Sequence, residues 1–363
     1  MLSDKVVSTP GRISLFGEHL DCLNLPLIQT AISRRLNLIG NRTSTDLINI
    51  NLLDTRKKIV FSILKEKSHS LPEENYFSKT FFYLKKMGYT FSSGFDCQIR
   101  GKIPMHAGAA SFAALLISWI EFLTKMSDQK IELTDDQLAS IALQIEHSEF
   151  EKKSSIADFQ TITSGGVNYY SFTPKFSCKK LSPDLEFFVL GNPELNIDRY
   201  NEIMKMKNQF IFISETLKSE DENFSILELS ENNIANYEQY LNDEQIMILR
   251  GIVKNNILTN TAFDVLSKDK IDQKYFGELL NKQHAILRDN FNLSNQKIED
   301  MIKAALDTGA FGAKVNTTGG GISMIAYAPE YPEHVFMALR KLSEAYVIHA
   351  DVGITEINAA EWI

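Results

Sequence analysis

The distribution of apolar and polar residues over the first hundred positions is typical of β-strands. Strands are predicted where apolar residues alternate with polar ones or where β-branched residues cluster: "RISLF" (12–16), "LININ" (47–51), "IVFSIL" (59–64) and "FDCQI" (95–99). A helix is expected over 76–87, between the last two of these runs. The first part of the chain should therefore build a sheet.

Helical patterns follow. An apolar helix is predicted over 112–126 and an amphipathic helix over 135–150, where Leu138, Ile141 and Ile145 mark one face. The later expectations are strands at 165–172, 185–191, 313–316 and 322–328, and helices at 200–219, 232–242, 244–254, 271–290, 295–309 and 332–346. This order predicts an α+β fold of two packed domains, residues 1–180 and 181–363.

Composition narrows the class of protein. A chain of 363 residues with 44% hydrophobic and 23% charged residues can build about two globular domains. Its 46 acidic and 38 basic residues give a net charge of −8 without charge blocks. Mild acidity argues against nucleic acid or an anionic membrane as the main partner.

Cysteine content and the apolar runs indicate the compartment. The three cysteines form no CxxC pair, so neither a zinc site nor a disulfide framework is expected. The N-terminus lacks the basic-then-apolar pattern of a signal peptide. The most membrane-like run, 107–123, is short and contains Glu121, and it is interpreted as a buried helix. The chain is expected to work in the reducing cytoplasm.

One segment could bind phosphate. The chain has no GxxxxGK[ST] and no GxGxxG after a strand, but in "KIPMHAGAASFAALL" (102–116) small residues precede the apolar helix. Backbone N–H groups at a helix N-terminus bind anions where small side chains allow close approach. The alternative is that Ser111 is an ordinary N-cap and the small residues only pack tightly.

A second small-residue cluster is "NTTGGGIS" (316–323), between two predicted strands. Consecutive glycines can form a plain hairpin turn, or they can let the backbone approach a ligand closely. Both interpretations stay open on the sequence alone.

Two sets of polar residues could carry chemistry. Glu146 and Asp158 lie twelve residues apart, and one carboxylate could hold Mg²⁺ while the other orients or deprotonates a hydroxyl, although two solvated acids would look the same. In "TPGRISLFGEHLD" (9–21) an arginine precedes Glu18, His19 and Asp21. These groups could bind a polyol and a phosphoryl group, or they could be a structural ion pair and a core histidine.

The order of these motifs resembles that of the GHMP kinases, and of galactokinases in particular. "TPGRISLFGEHLD" is similar to the signature A-P-G-R-V-N-L-I-G-E-H-T-D-Y, and "IPMHAGAASFAALL" takes the place of the phosphate loop P-x-G-x-G-L-x-S-S-A-A-L. "IEHSEFEKKSSIADFQ" (145–160) resembles A-E-H-x-F-x-x-x-x-C-G-I-M-D-Q. Residues 281–321 resemble the segment that ends in the third, glycine-rich motif, so the similarity spans nearly the whole chain.

The resemblance implies a fold and a set of roles. The first domain would be like domain 2 of ribosomal protein S5 and the second ferredoxin-like, with ATP, Mg²⁺ and a sugar in the cleft between them. Asp158 would orient or deprotonate the acceptor hydroxyl, and Arg12 would stabilise the transferring phosphoryl group. The acceptor would be bound by Glu18, His19, Asp21 and Ser155, the nucleotide by Pro104, His106, Ala107, Gly108, Ala109, Ala110, Ser111, Gly319 and Gly320, and Mg²⁺ by Ser111 and Glu146.

The chain departs from the family pattern at several of these positions. His106 and Ala110 stand where glycine or another small residue is usual, and Phe112 replaces the second serine of the loop. Around the acceptor, Ser155 replaces a glycine and Leu195 stands in the place of a sugar-contacting tyrosine. Phe159 replaces the glutamine after the catalytic aspartate.

Three hypotheses follow from the resemblance and the departures. The first is an ATP- and Mg²⁺-dependent kinase that phosphorylates a sugar hydroxyl, with the anomeric hydroxyl of galactose as the first candidate. The second is a GHMP kinase for another sugar, a sugar acid or mevalonate. The third is a catalytically weak regulator that binds sugar or nucleotide. The chain is expected to be a monomer or a homodimer.

Overall fold

The first half of the chain supplies most of the strands. The computed structural model describes residues 5–65, 72–193, 199–317 and 320–357. Its elements up to residue 181 are β1 (Lys5–Phe16), β2 (Leu27–Arg42), β3 (Leu47–Leu52), β4 (Lys57–Ser62), α1 (Pro72–Lys86), β5 (Phe95–Gly101), α2 (Ser111–Met126), α3 (Asp135–Phe150), α4 (Ile156–Ser164), β6 (Val167–Ser171) and β7 (Ser177–Leu181).

The second half is mainly helical. Its elements are β8 (Phe188–Asn192), α5 (Tyr200–Glu220), α6 (Asp243–Leu266), α7 (Gln273–Asp289), α8 (Gln296–Asp307), β9 (Gly312–Asn316), β10 (Ser323–Tyr327), α9 (Pro332–Arg340), β11 (Glu344–Ile348) and β12 (Thr355–Ile357). Among the described residues, no helix combines the length and the apolar character that a bilayer crossing requires.

The described strands form two sheets. The larger has eight strands in the order β12–β1–β2–β5–β3–β4, and β6 joins β2 to β7; the smaller has the order β11–β8–β10–β9. The α+β class predicted from the sequence is confirmed. The division at residue 180 stays a prediction, and the final strand β12 pairs with β1 in the first sheet.

The core joins the two halves. The apolar helix α2 is buried along most of its length, and the indole of Trp119 stacks on Phe122 with ring centroids 5.7 Å apart. The rings of Phe16 on β1 and Phe276 on α7 meet edge to face at 5.9 Å. Since burial of such side chains stabilises by about 2 kcal/mol each, the contact of Phe16 with Phe276 helps to hold the two halves against each other.

Two predictions of secondary structure were wrong. Residues 232–242 do not form an α-helix but two short 3₁₀ turns, at Ile234–Asn236 and Glu238–Tyr240. The helix predicted over 332–346 ends at Arg340, because "EAYVI" (344–348) forms β11 and pairs with β8. The β-branched and aromatic residues of that run fit a pleated sheet better than a helix.

Candidate active site

A narrow polar cleft of about 50 Å³ lies between the two halves of the molecule. Six of the residues predicted from the sequence line it: Glu18, His19, Asp21, Ser155, Asp158 and Gly320. The turn that presents the first three begins at Gly17, where φ is +76° and a Cβ atom would lie 2.4 Å from the carbonyl oxygen of Pro26. Glycine is therefore required at this bend.

Arg12 and Asp158 form the centre of the site. The Arg12 guanidinium is 2% exposed and reaches Oδ1 of Asp158 through Nε at 2.8 Å and Nη2 at 2.7 Å. Gln29 Nε2 donates to the same oxygen at 2.7 Å. No hydrogen bond from the described residues uses Oδ2, so this oxygen can accept from a hydroxyl in the cleft.

The local structure places Asp158 at the start of a capped helix. Ser155 is the N-cap of α4, and its hydroxyl accepts from the N–H of Ala157 at 3.4 Å. Asp158 follows in the first helical turn, where the helix dipole stabilises a negative charge. Ser155 therefore fixes the helix that carries Asp158 and also lines the cleft.

The loop before α2 has the shape of an anion-binding nest. His106, Gly108 and Ala110 have φ values of +55°, +62° and +61°, so left-handed residues alternate with others. Such alternation turns successive backbone N–H groups toward one concavity. The concavity leads into the N-terminus of α2, and Arg12 Nη1 donates to the carbonyl oxygen of Gly108 at 3.1 Å. The side chain of His106 is exposed.

Replacing Ala110 by glycine should stabilise the protein. A left-handed alanine is strained by about 1–2 kcal/mol, and part of the relief is offset by the greater freedom of glycine in the unfolded chain. We expect the free energy of unfolding to rise by about 0.5–1 kcal/mol in urea titrations. Ala304→Gly in α8 is the matched control and should lower it by about 1 kcal/mol. Equal losses in the two variants would contradict the strain at Ala110.

The third motif supports this loop from the second half of the chain. Asn316 Nδ2 donates to the carbonyl oxygens of Ala107 and Gly108 at 3.3 and 3.2 Å. A Cβ atom on Gly321 would lie 2.3 Å from the backbone nitrogen of Gly108. The glycine here allows two protein backbones to approach each other, and the approach to a ligand stays a prediction. Gly319 and Leu195 lie outside the described residues.

Glu18 lies beneath the cleft and is fully paired. Its Oε2 forms an ion pair with Lys314 Nζ, and its Oε1 accepts the backbone N–H of Thr317 at 3.1 Å. Both side chains of the ion pair are 0% exposed. Burial lowers the pKa of Lys314, and Glu18 opposes that change. The carboxylate thus anchors β9 and the third motif to the opening motif.

His19 and Asp21 stand at the other end of the cleft. Burial lowers the pKa of His19 to about 3, so the imidazole is neutral at neutral pH, and its Nε2 lies 3.1 Å from Thr317 Oγ1. Asp21 accepts from Lys207 Nζ at 2.9 and 3.1 Å. Lys207 was not predicted. The signal for it is the i, i+3, i+4, i+7 face of α5 that lines the cleft: Tyr200, Ile203, Met204 and Lys207.

A larger apolar cavity adjoins the loop. It has a volume of about 510 Å³ and shares Met105, Ser111 and Phe112 with the loop region. Lys152 stands at its edge with its ammonium 3.8 Å from the centre of the Phe112 ring, a cation–π contact. Because its walls come from β2, β3, β5 and three helices, no local sequence pattern could reveal it.

The donors predicted for Mg²⁺ are oxygen ligands of the right type. Glu146 is 2% exposed, burial raises the pKa of its carboxyl, and its Oε2 accepts from the N–H of Ser154 at 3.3 Å. Within the described residues there is no cluster of three or more His, Cys, Asp or Glu side chains that could hold a metal ion. A carboxylate and a hydroxyl are ligand types that Mg²⁺ accepts when its remaining ligands are phosphates and water, and the joint role of Glu146 and Ser111 stays a prediction.

Comparisons with known proteins agree with the motif order. The family described as GHMP kinases N terminal domain matches residues 75–166. A galactokinase of Limosilactobacillus reuteri is 24% identical over 96% of this chain and 88% of that protein. A mevalonate kinase of Methanocaldococcus jannaschii is 26% identical over 90% of this chain and 93% of that protein.

Solved structures show the same fold. The structure of Lactococcus lactis galactokinase complexed with galactose superposes with a TM-score of 0.81, at 20% identity, over 98% of this chain and 96% of that one. The match to the family domain falls on the loop, α3 and α4, the segment that carries the nest and Asp158. Residues 75–166 thus match the GHMP kinase N-terminal domain, and the chain over nearly its whole length is similar to galactokinases and mevalonate kinases.

Proposed function

We propose that this protein is an ATP- and Mg²⁺-dependent kinase that phosphorylates a hydroxyl group of a sugar-like acceptor, with the anomeric hydroxyl as the first position to test. The observation that carries the proposal is the Arg12–Asp158 pair, which lies between the anion nest and the polar cleft. One oxygen of Asp158 faces the pair, and the other is left for an acceptor. The kinase relatives support the reaction class.

Asp158 and Arg12 would have different roles in the phosphoryl transfer. The acceptor oxygen forms a bond to the γ-phosphorus, the bond from that phosphorus to the β–γ bridging oxygen breaks, and ADP leaves with the electron pair. Asp158 aims the hydroxyl and takes its proton, which then passes to water. Arg12 holds Asp158 in place and offsets charge that develops on the phosphoryl group.

The nucleotide would lie across the loop. Backbone N–H groups of the nest and the N-terminus of α2 would bind its phosphates, and the 510 Å³ apolar cavity would take the base. Glu146 and Ser111 would hold Mg²⁺, which supplies neutralising charge to the phosphates when bound. A cytoplasmic setting and a monomeric or homodimeric state stay predictions.

The test is an acceptor panel with ADP release as the readout. Galactose, other hexoses, hexuronic acids and mevalonate are each supplied with ATP and Mg²⁺, and at least one should release ADP. Chelation of Mg²⁺ should abolish the signal, and its return should restore it. Calorimetry with Mg·ATP accompanies the panel. If acceptors bind while ATP neither binds nor is hydrolysed, the chain is a regulator and the proposal is wrong.

A further inference from the structure

Each carboxylate among the described residues that line the acceptor cleft has a cationic partner. Glu18 is paired with Lys314, and Asp158 with Arg12. Asp21 is paired with Lys207, whose two contacts of 2.9 and 3.1 Å occupy both carboxylate oxygens. The three pairs are neutral as sets, so the described lining residues include no acid group without a cationic partner.

This pairing limits how a neutral sugar could be held. An ionised carboxylate only accepts hydrogen bonds, and its two oxygens together have about four lone-pair sites. Both oxygens of Glu18 and of Asp21 already accept a hydrogen bond within the protein, which leaves fewer sites for the hydroxyls of a neutral sugar. Oδ2 of Asp158 is the carboxylate oxygen left among the described lining residues, and the reacting hydroxyl requires it.

Several hydrogen-bond donors remain among the other described lining residues. Lys207 has three N–H groups and directs two of them at Asp21, which leaves one. Lys153 also lines the cleft and has no carboxylate partner among the described residues. The hydroxyl of Ser14, on a residue 1% exposed, lines the same cleft and has no hydrogen-bond partner in the described part of the chain.

We propose that the acceptor carries a carboxylate, as a sugar acid or another hydroxy acid does, and that Lys207 and Lys153 bind this group while its hydroxyl meets Asp158. The proposal rests on the kinase function stated above. Among the described lining residues, the three neutral pairs and neutral His19 leave Lys153 as a single surplus charge, which matches a monoanionic carboxylate better than a phosphate of charge near −2. Ser14 would donate to an oxygen of the same acceptor.

The experiment compares acceptors that differ in one group. Each hexose of the panel is paired with the hexuronic acid of the same stereochemistry and with its 6-phosphate, and mevalonate is paired with its neutral methyl ester. We expect kcat/KM for the carboxylate of the preferred pair to exceed that of its neutral partner by at least about tenfold, since a charge-assisted hydrogen bond to a buried cation is lost in the neutral compound. The phosphate should be the poorer anion.

Two substitutions should move this preference in opposite directions. Lys207→Met removes the cation and leaves Asp21 free for hydroxyls, so the ratio of kcat/KM for acid over neutral acceptor should fall by about tenfold or more. Asp21→Asn frees Lys207 and should raise the ratio. Lys205→Met, an exposed lysine on the same helix, is the matched control and should leave the ratio within about twofold.

Direct binding separates this inference from the kinase function. Calorimetry without nucleotide should detect binding of the sugar acid to the wild-type protein and no binding to the Lys207→Met variant. Acid binding without ADP release would overturn the kinase function and keep the carboxylate site. Three results would overturn the carboxylate site. They are equal turnover of a neutral acceptor and its acid, a preference for the phosphate, and the absence of both binding and turnover for every acid tested. If Lys207→Met fails to fold, the paired acceptors still test the carboxylate site in the wild-type protein and in the Asp21→Asn variant.

Discussion

Replacing Asp158 by asparagine is expected to lower kcat by about 10³-fold, because a positioned general base contributes roughly 10²–10⁴-fold to such reactions. The amide keeps an oxygen for Arg12 and Gln29, whose donors now converge on Oδ1. It cannot take a proton from the acceptor at Oδ2. The measurement is ADP release with the best acceptor of the panel, together with calorimetry that should show Mg·ATP binding retained.

A nearby carboxylate supplies the control for this variant. Asp136 on α3 accepts from Gln160 Nε2 at 2.6 Å and does not line the cleft. Asp136→Asn should leave kcat within about twofold of wild type. Thermal unfolding of both variants separates a loss of chemistry from a loss of fold, since Arg12 loses its charged partner in Asp158→Asn. A kcat for Asp158→Asn within threefold of wild type would remove Asp158 from the catalytic role.

Replacing Lys314 by methionine should lower the free energy of unfolding by roughly 3–5 kcal/mol. The variant leaves the Glu18 carboxylate buried, with neither solvent nor a cation beside it, and both side chains of the pair are 0% exposed. It also removes the hydrogen bond from Lys314 Nζ to the carbonyl oxygen of Ser14, 3.0 Å long. Urea titrations of wild type and variant measure the difference.

Two further variants separate the buried charge from the packing. Adding Glu18→Gln to Lys314→Met removes the stranded charge, so the double variant should recover part of the lost stability. Lys303→Met breaks the exposed pair with Asp307, whose side chains are 75% and 60% exposed, and should change stability by less than about 1 kcal/mol. A loss below about 1 kcal/mol for Lys314→Met would mean that Glu18 takes a proton or reaches water in the folded protein.

The helices of the phosphate region could be predicted from local pattern. The apolar run that forms α2 and the amphipathic run that forms α3 have strong helical periodicity, and the observed bounds differ from the predicted ones by at most one residue. The 16-residue strand β2 was not predicted, because its first six residues are buried on both faces and show no alternation. The buried polar residues Gln29 and Thr30 interrupt this stretch, so it shows neither the alternation of a half-buried strand nor the continuous apolar run of a fully buried one.

The candidate site likewise contains residues that the sequence indicated and partners that only the structure identifies. The opening motif and the Glu146–Asp158 spacing indicated which side chains could do chemistry, and the structure joins Arg12 to Asp158 across 146 residues of chain. The sequence alone could not indicate the cationic partners of Glu18 and Asp21. Lys207 lies 186 residues from Asp21, and Lys314 lies 296 residues from Glu18.

The sequence by itself determined the α+β class, the order of the motifs and the residue types available for phosphoryl transfer, because helical and strand periodicity and motif spacing are local properties. Tertiary structure decided which of those charges remain free. Docking of α5 and β9 against the turn after β1 engages Asp21 and Glu18 with lysines and leaves Asp158 Oδ2, Lys153 and Ser14 facing the cleft. Ion pairs form between whichever groups packing brings within about 4 Å, and that distance is set by the fold and not by neighbours in the chain.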